Sequence, residues 1–349
     1  MQHEYFAASN SSEGFKNYYP EVFGRADRLY VIKGGPGTGK SSFMKKCAEN
    51  AEKNSLEVEY YYCSSDPRSL DGVLMLGDEN IGIIDGTSPH VWEPVNPGAR
   101  EEIVNLGQFW DPRLLRLQKN EIFSLSNKKS AAYKRAYDYL RSCGNLRAVS
   151  DSLLRKFVDR EKMQAAADRL VRSLDLPRGT ATVLPSLLDA IAMTGKFSFD
   201  SFRVSADNVI LVDDFYGVGK LFLGALLRSL SSVGETVRVA FDPVDSRLVN
   251  GLFLENGKIA FLLWDKDNTP SDESRIVNAK RFVDVEKLRV IRGELRYATR
   301  LYSDCLDGAL HALSEAKVYH FLLEDIYKNA MDFKALSIYT EEFIKKLAL

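Results

Sequence analysis

The chain has 349 residues, 45% of them hydrophobic and 27% charged, with 47 basic against 48 acidic residues for a formal net charge of -1. That length suits about two domains with sizeable cores, and the charge balance gives no overall pull towards a polyanion. No run of eighteen apolar residues is present to span a bilayer, and Met1 to Ser12 lacks the basic-then-apolar order of a secretory signal. The expectation is a cytoplasmic protein without membrane insertion. Cys47, Cys63, Cys143 and Cys305 are scattered, with no CxxC pair and no histidine at zinc-finger spacing, so they read as reduced core residues rather than a disulfide framework or structural zinc.

In chain order, the apolar run 29–32 (LYVI) ends at KGGPGTGK, after which Phe43, Met44, Cys47, Ala48 and Ala51 recur at helical spacing. Strand, glycine turn and amphipathic helix is the order this predicts. A second strand is expected at Val58 to Cys63, then a loop, SSDPRSLDG, then a third strand at Ile81 to Ile84 ending in Asp85. Strands alternating with helical patterns predict α/β architecture with a parallel sheet flanked by helices. From about 114 to 174 the pattern becomes long and helical, and Gly144-Asn145 suggests the bend of a helical hairpin. Residues 113–178 carry sixteen Lys or Arg against seven Asp or Glu, a net of +9 that leaves -10 for the rest of the chain.

The same order then returns. NVILVDDFYGVGK (208–220) lies without a gap on RLYVIKGGPGTGK (28–40), VRVAFDPVDSRLVNGLFL (237–254) parallels VEYYYCSSDPRSLDGVLM (58–75), and KIAFLL (258–263) takes the place of NIGIID (80–85). The helical tail from about Glu286 takes the place of the first hairpin. One unit of about 175 residues is used twice, which predicts two tandem P-loop NTPase-like units, 1–175 and 176–349, the second degenerate.

Gly34-Gly35-Pro36-Gly37-Thr38-Gly39-Lys40-Ser41 fits GxxxxGK[ST] at every specified position, with Ser42 next on the helix. Glycines allow positive φ and leave no Cβ between the backbone N–H groups and phosphate oxygens. The helix start adds its positive end. Lys40 is expected to neutralise the β and γ oxygens and the Ser41 hydroxyl to ligate Mg²⁺. Asp85, at the end of a neighbouring buried strand, suits the Mg²⁺ carboxylate, but Gly86 follows it, so the acidic neighbour that polarises water in many such ATPases is missing. Asp66 and Asp71 are the substitutes on offer, each equally well read as a turn or cap residue. His90, Arg68, Arg100 and Arg113 are within sequence reach of a γ-phosphate role, with a solvated surface role the simpler reading of each.

KGGPGTGKSS, YYCSSDPRSLDGV and IIDGTSPH, in this order and spacing, resemble a bacterial family of tandem P-loop ATPases of uncharacterised cellular role, over nearly the whole chain. The resemblance implies a duplicated P-loop NTPase fold, nucleotide binding at Gly34 to Ser41 and Asp85 near the metal. The second half departs from it: Asp214 stands where the first glycine belongs and Leu221 where the Mg²⁺-binding hydroxyl belongs. Leu263 falls opposite Asp85, leaving Asp265 as a displaced substitute.

The leading expectation is therefore an ATPase that uses ATP and Mg²⁺ and couples nucleotide state to conformation. A P-loop kinase with the hairpin as a lid is the alternative. A nucleic-acid-associated ATPase is a third, through the basic segment with Tyr133, Lys134, Arg135, Tyr137 and Tyr139, although a solvated helix face explains that segment more simply. The lack of an NKxD motif favours adenine over guanine.

Overall fold

The computed structural model describes residues 3–264 and 275–347. The first half runs through β1 (His3–Phe6), β2 (Ala8–Ser11), β3 (Gly14–Asn17), α1 (Tyr19–Phe23), β4 (Arg28–Lys33), α2 (Lys40–Lys53), β5 (Glu57–Tyr62), β6 (Leu70–Leu76), β7 (Ile81–Asp85), β8 (Glu101–Asn105), α3 (Pro112–Leu117), α4 (Lys119–Leu154) and α5 (Arg160–Arg172). The second half repeats that succession: β9 (Thr182–Pro185), β10 (Asp189–Ala192), β11 (Gly195–Ser198), α6 (Ser201–Ser205), β12 (Asn208–Asp213), α7 (Val218–Ser229), β13 (Thr236–Phe241), β14 (Val249–Leu254), β15 (Ile259–Trp264), β16 (Arg275–Val277), α8 (Val285–Leu288), α9 (Arg292–Ala330) and α10 (Phe333–Lys346).

Each half builds a six-stranded sheet, ordered β1-β5-β6-β7-β4-β8 in the first and β9-β13-β14-β15-β12-β16 in the second. The orders match strand for strand. The expected parallel sheet is in fact mixed, because β6 runs antiparallel to both β5 and β7, as β14 does to β13 and β15. The reason lies in the connections: 63–69 and 77–80 are hairpin lengths, whereas a parallel crossover needs a dozen or more residues. The segment SSDPRSLDG is therefore a loop only as far as Ser69, and its last residues already belong to β6.

The layers are helix, sheet, sheet, helix. On its outer side the first sheet packs Ile32, Val73 and Ile83 against Phe43, Met44 and Cys47 of α2. On its inner side Tyr61, Leu74 and Ile84 meet Ala240, Phe253 and Ala260 of the second sheet. The β5 and β13 strands carry a bulge at the same place, after Tyr61 and after Ala240, which makes Arg238 the counterpart of Glu59. These two counterparts meet between the halves. Glu59 is fully buried and is bonded by Arg238, by Arg25 and by the Tyr61 hydroxyl (2.6 Å). Burial alone would raise its carboxyl, but Arg238 and Arg25 outweigh that and hold it at about 2. Nearby, Phe6 at the end of β1 and Leu187, two residues beyond β9, exchange backbone hydrogen bonds of 2.8 and 3.3 Å.

The expected hairpin of 114–174 takes a different form. Helix α4 runs unbroken through Gly144 and Asn145, and at about 1.5 Å per residue it is roughly 54 Å long. The glycine is there for packing, since a Cβ on Gly144 would lie 2.6 Å from that of Ser12 at the β2–β3 turn. The partner of α4 is α9, which runs antiparallel to it through Ala136, Leu140, Ala309 and Leu313, with Leu125 on Leu323 at one end. The short helices then change sides. Met163, Ala167 and Leu170 of α5 cover α7 in the second half, while Leu336 and Phe343 of α10 cover α2 in the first. Each of these buried side chains contributes on the order of 1.5–3 kcal/mol if large, so each half is completed by helices that follow the other half's end of the long pair.

Candidate functional site

Between β4 and α2 the chain turns through Gly34 to Gly39. Gly37 and Gly39 hold φ of 70° and 83°, the left-handed region where a Cβ is strained, and Gly39 is the residue from which α2 starts. Lys40, the first helical residue, folds back over the loop: its Nζ donates to the carbonyls of Gly34 (3.1 Å) and Gly35 (2.7 Å) and lies 3.5 Å from Asp85 Oδ2. Thr38 Oγ1 also donates to Gly35 O, at 2.8 Å. Pro36 is partly exposed and Ser42 exposed. The Ser41 hydroxyl oxygen accepts from Leu70 N at 2.9 Å, which leaves its proton and one lone pair uncommitted.

Asp85 ends β7, the strand next to β4 in the sheet. Its Oδ1 is held by the Thr87 N–H (2.9 Å) and hydroxyl (2.6 Å), so Oδ2 is the oxygen turned to Lys40. Lys33 fixes the following loop by donating to Gly86 O, Trp92 O and Glu93. Lys40 and Ser41 thus follow the C-terminal end of β4, beside Asp85 at the end of β7.

The other expected residues divide. Asp66 makes the turn its sequence suggests, accepting from Ser69 N through its carbonyl and facing the exposed Arg68 at 3.3 Å. Asp71 is a strand residue in β6 rather than a cap, and its Oδ2 lies 2.9 Å from Nε2 of His90. His90 is 4% exposed, contrary to the solvated role that its turn-rich segment suggests; Tyr19 stacks on its ring at 5.2 Å and Phe15 meets it edge-on at 4.7 Å. Burial alone would lower the His90 pKa, but Asp71 more than reverses this and raises it. Arg100 is away from the loop, bonded to Glu101 and to the carbonyls of Ala26 and Phe23. Arg113 lies in the first turn of α3.

Sequence reasoning missed the roof. A Cβ on Gly35 would strike the Tyr327 ring at 2.7 Å, one on Gly37 the Glu324 carbonyl at 2.7 Å, and one on Gly39 the Leu336 side chain at 2.9 Å. The glycine loop therefore lies directly under α9 and α10. From α4, Lys129 reaches the same place: burial first, and then the Lys40 charge, press its pKa below the ordinary lysine range. An open cleft of about 680 Å³ is walled by Phe109, Trp110, Asp111, Asn329 and Phe333; of these, the Phe333 ring comes within 3.8 Å of where a Cβ on Gly39 would stand.

The corresponding turn of the second half is built differently. Helix α7 starts at Val218 from Gly217, two residues sooner than α2 by alignment. Tyr216 takes a φ of 52°. Asp214 Oδ1 accepts from Gly219 N at 2.9 Å, so a carboxylate of the chain itself occupies the loop amide. Lys220 is paired with buried Asp242, which also accepts from the N–H groups of Val244 and Asp245 and has Arg147 of α4 at 4.0 Å. Strand register puts Leu263 opposite Val212 as Asp85 is opposite Ile32; Asp265 lies outside the described residues. Compared with known proteins, the chain matches no family model, and no curated protein or solved structure is significantly similar to it.

Proposed function

We propose that the chain is an ATPase of the tandem P-loop kind, binding Mg²⁺ and a nucleoside triphosphate, ATP by preference, at Gly34 to Ser41. The observation that carries this reading is the convergence of Lys40, the free capacity of Ser41 and the Asp85 oxygen at the start of a fourteen-residue helix whose first turn has no acidic residue. That is a place for phosphate oxygens on backbone N–H groups and for a cation between a hydroxyl and a carboxylate. Lys40 Nζ, now on two loop carbonyls, would exchange them for phosphate oxygens.

Coupling to conformation is the part the roof supports. Phosphates entering the loop would compete for space and charge with Glu324 and Tyr327, and α9 leads from there to the other half. The degenerate second half serves in this reading as a structural or regulatory partner, its loop filled by Asp214 and Asp242. The basic segment is better accounted for as a helix face than as a nucleic-acid site, since Arg135 and Arg141 are paired with Glu315 and Asp138.

Calorimetric titration with MgATP tests the proposal. Near one nucleotide per chain is expected, with loss of most affinity in Lys40→Ala and tighter binding of ATP than of GTP. Undiminished affinity and turnover in Lys40→Ala would refute it.

A further inference from the structure

We propose that Cys63, Asp71 and His90 form a binding site for one divalent transition-metal ion of the zinc class, separate from the Mg²⁺ position at Ser41 and Asp85. Three distinct elements deliver these side chains to one point: the end of β5, the start of β6 and the loop after β7. One ligand atom from each lies within 4.8 Å of the other two. Asp71 and His90 are buried, and Cys63 is partly so. A thiolate, a carboxylate and a neutral imidazole carry two negative charges between them, which a divalent cation cancels. The mixed S, O and N set is one that zinc-class ions accept and that Mg²⁺, which prefers oxygen, does not.

His90 turns Nε2 to Asp71 at 2.9 Å, which places a nitrogen lone pair within the cluster when the imidazole is neutral. The buried Ser64 Oγ, next to Cys63 in the chain, has no hydrogen-bond partner, and buried polar atoms in that condition are uncommon. The His90 ring is held by Tyr19 and Phe15 on two sides, so little orientation is lost on binding an ion. Nor does the fold require these residues at this corner. In the second half the position of Cys63 is taken by Asp242, which serves Lys220, and that of Asp71 by Asn250, which donates to Asp189 at 2.8 Å. The donor set accompanies the complete glycine loop only. Three protein ligands leave a further position for water.

The test uses the full, tag-free chain and no nucleotide, so its outcome is independent of the ATP reading. Metal content is measured after purification without chelator, and metal-free protein is then titrated with Co²⁺ while its absorbance is followed. The expected result is about one equivalent of metal, and with Co²⁺ a near-ultraviolet thiolate charge-transfer band that saturates at one equivalent. Cys63→Ser should abolish the band and His90→Gln should weaken Co²⁺ binding by about tenfold or more, while Cys305→Ser leaves both unchanged. The wild-type titration alone decides the case if a variant does not fold. Absence of the band in wild type, or its survival in folded Cys63→Ser, would overturn the proposal.

Discussion

Replacing Arg238 by Met removes one guanidinium from the fully buried Glu59 while filling most of the space. The magnitude follows from the carboxyl itself: lowering its pKa from 4.5 to about 2 corresponds to about 3 kcal/mol of preference for the charged form in the folded chain. Breaking a buried pair by removing one partner typically costs about 3–5 kcal/mol, and because Arg25 still reaches Glu59, the lower end is expected. The pH dependence has a definite sign. A carboxyl with a depressed folded pKa contributes stability that is complete above pH 4.5 and is lost as the pH falls from there towards 2. Equilibrium urea unfolding at a series of pH values should show Arg238→Met about 3 kcal/mol less stable at pH 7, with a shallower loss below pH 4.5 than wild type. The double variant Glu59→Leu, Arg238→Met should recover part of that deficit, since apolar replacement of both partners removes the buried charge. A deficit under about 1 kcal/mol at pH 7, or an unchanged acid limb, would refute the reasoning.

Lys220→Ala should leave MgATP stoichiometry and affinity unchanged while lowering stability by about 2–4 kcal/mol, because Asp242 keeps the N–H groups of Val244 and Asp245 but, among the described residues, has only the more distant Arg147 as a cationic partner; calorimetric titration and urea unfolding separate the two effects, and a loss of nucleotide binding in a folded variant would show that the second turn is a working site. Gly37→Ala places a Cβ 2.7 Å from the Glu324 carbonyl at a φ of 70°, so it should cost about 1–3 kcal/mol and raise amide exchange in α9 near 324–328, which exchange mass spectrometry reads directly; unchanged exchange there would mean that α9 does not rest on the loop.

Much of the first site was legible because its signals are local. Strand, glycine turn and helix are contiguous, and the apolar run before Asp85 is short enough to be a buried strand. What failed to show had its cause far away in the chain. Leu70 to Gly72 reads as the end of a loop until the brevity of the connections on either side of β6 is taken as a pairing rule. His90 sits in IDGTSPH, a segment that looks solvated, and is buried only because Phe15 and Tyr19 arrive from seventy residues earlier. Gly144 has the look of a helix break because helix propensity counts its missing side chain as a cost; Ser12, which needs that space, is invisible from the helix alone. The same holds for the roof over Gly35 and Gly37, whose atoms come from nearly three hundred residues downstream.

The meeting of Glu59 with Arg238 has an implication for how freely the halves can be interchanged. At a two-fold axis between identical subunits, a residue faces its own copy, and a buried glutamate there would confront another glutamate. Joining the halves in one chain lifts that constraint, since the two positions can carry opposite signs. Once they do, the arrangement is committed: two copies of the first half would bury like charges against each other, and two copies of the second would do the same with arginines. The asymmetry at this single contact makes the pair of halves behave as lock and key rather than as spares, so neither can stand in for the other.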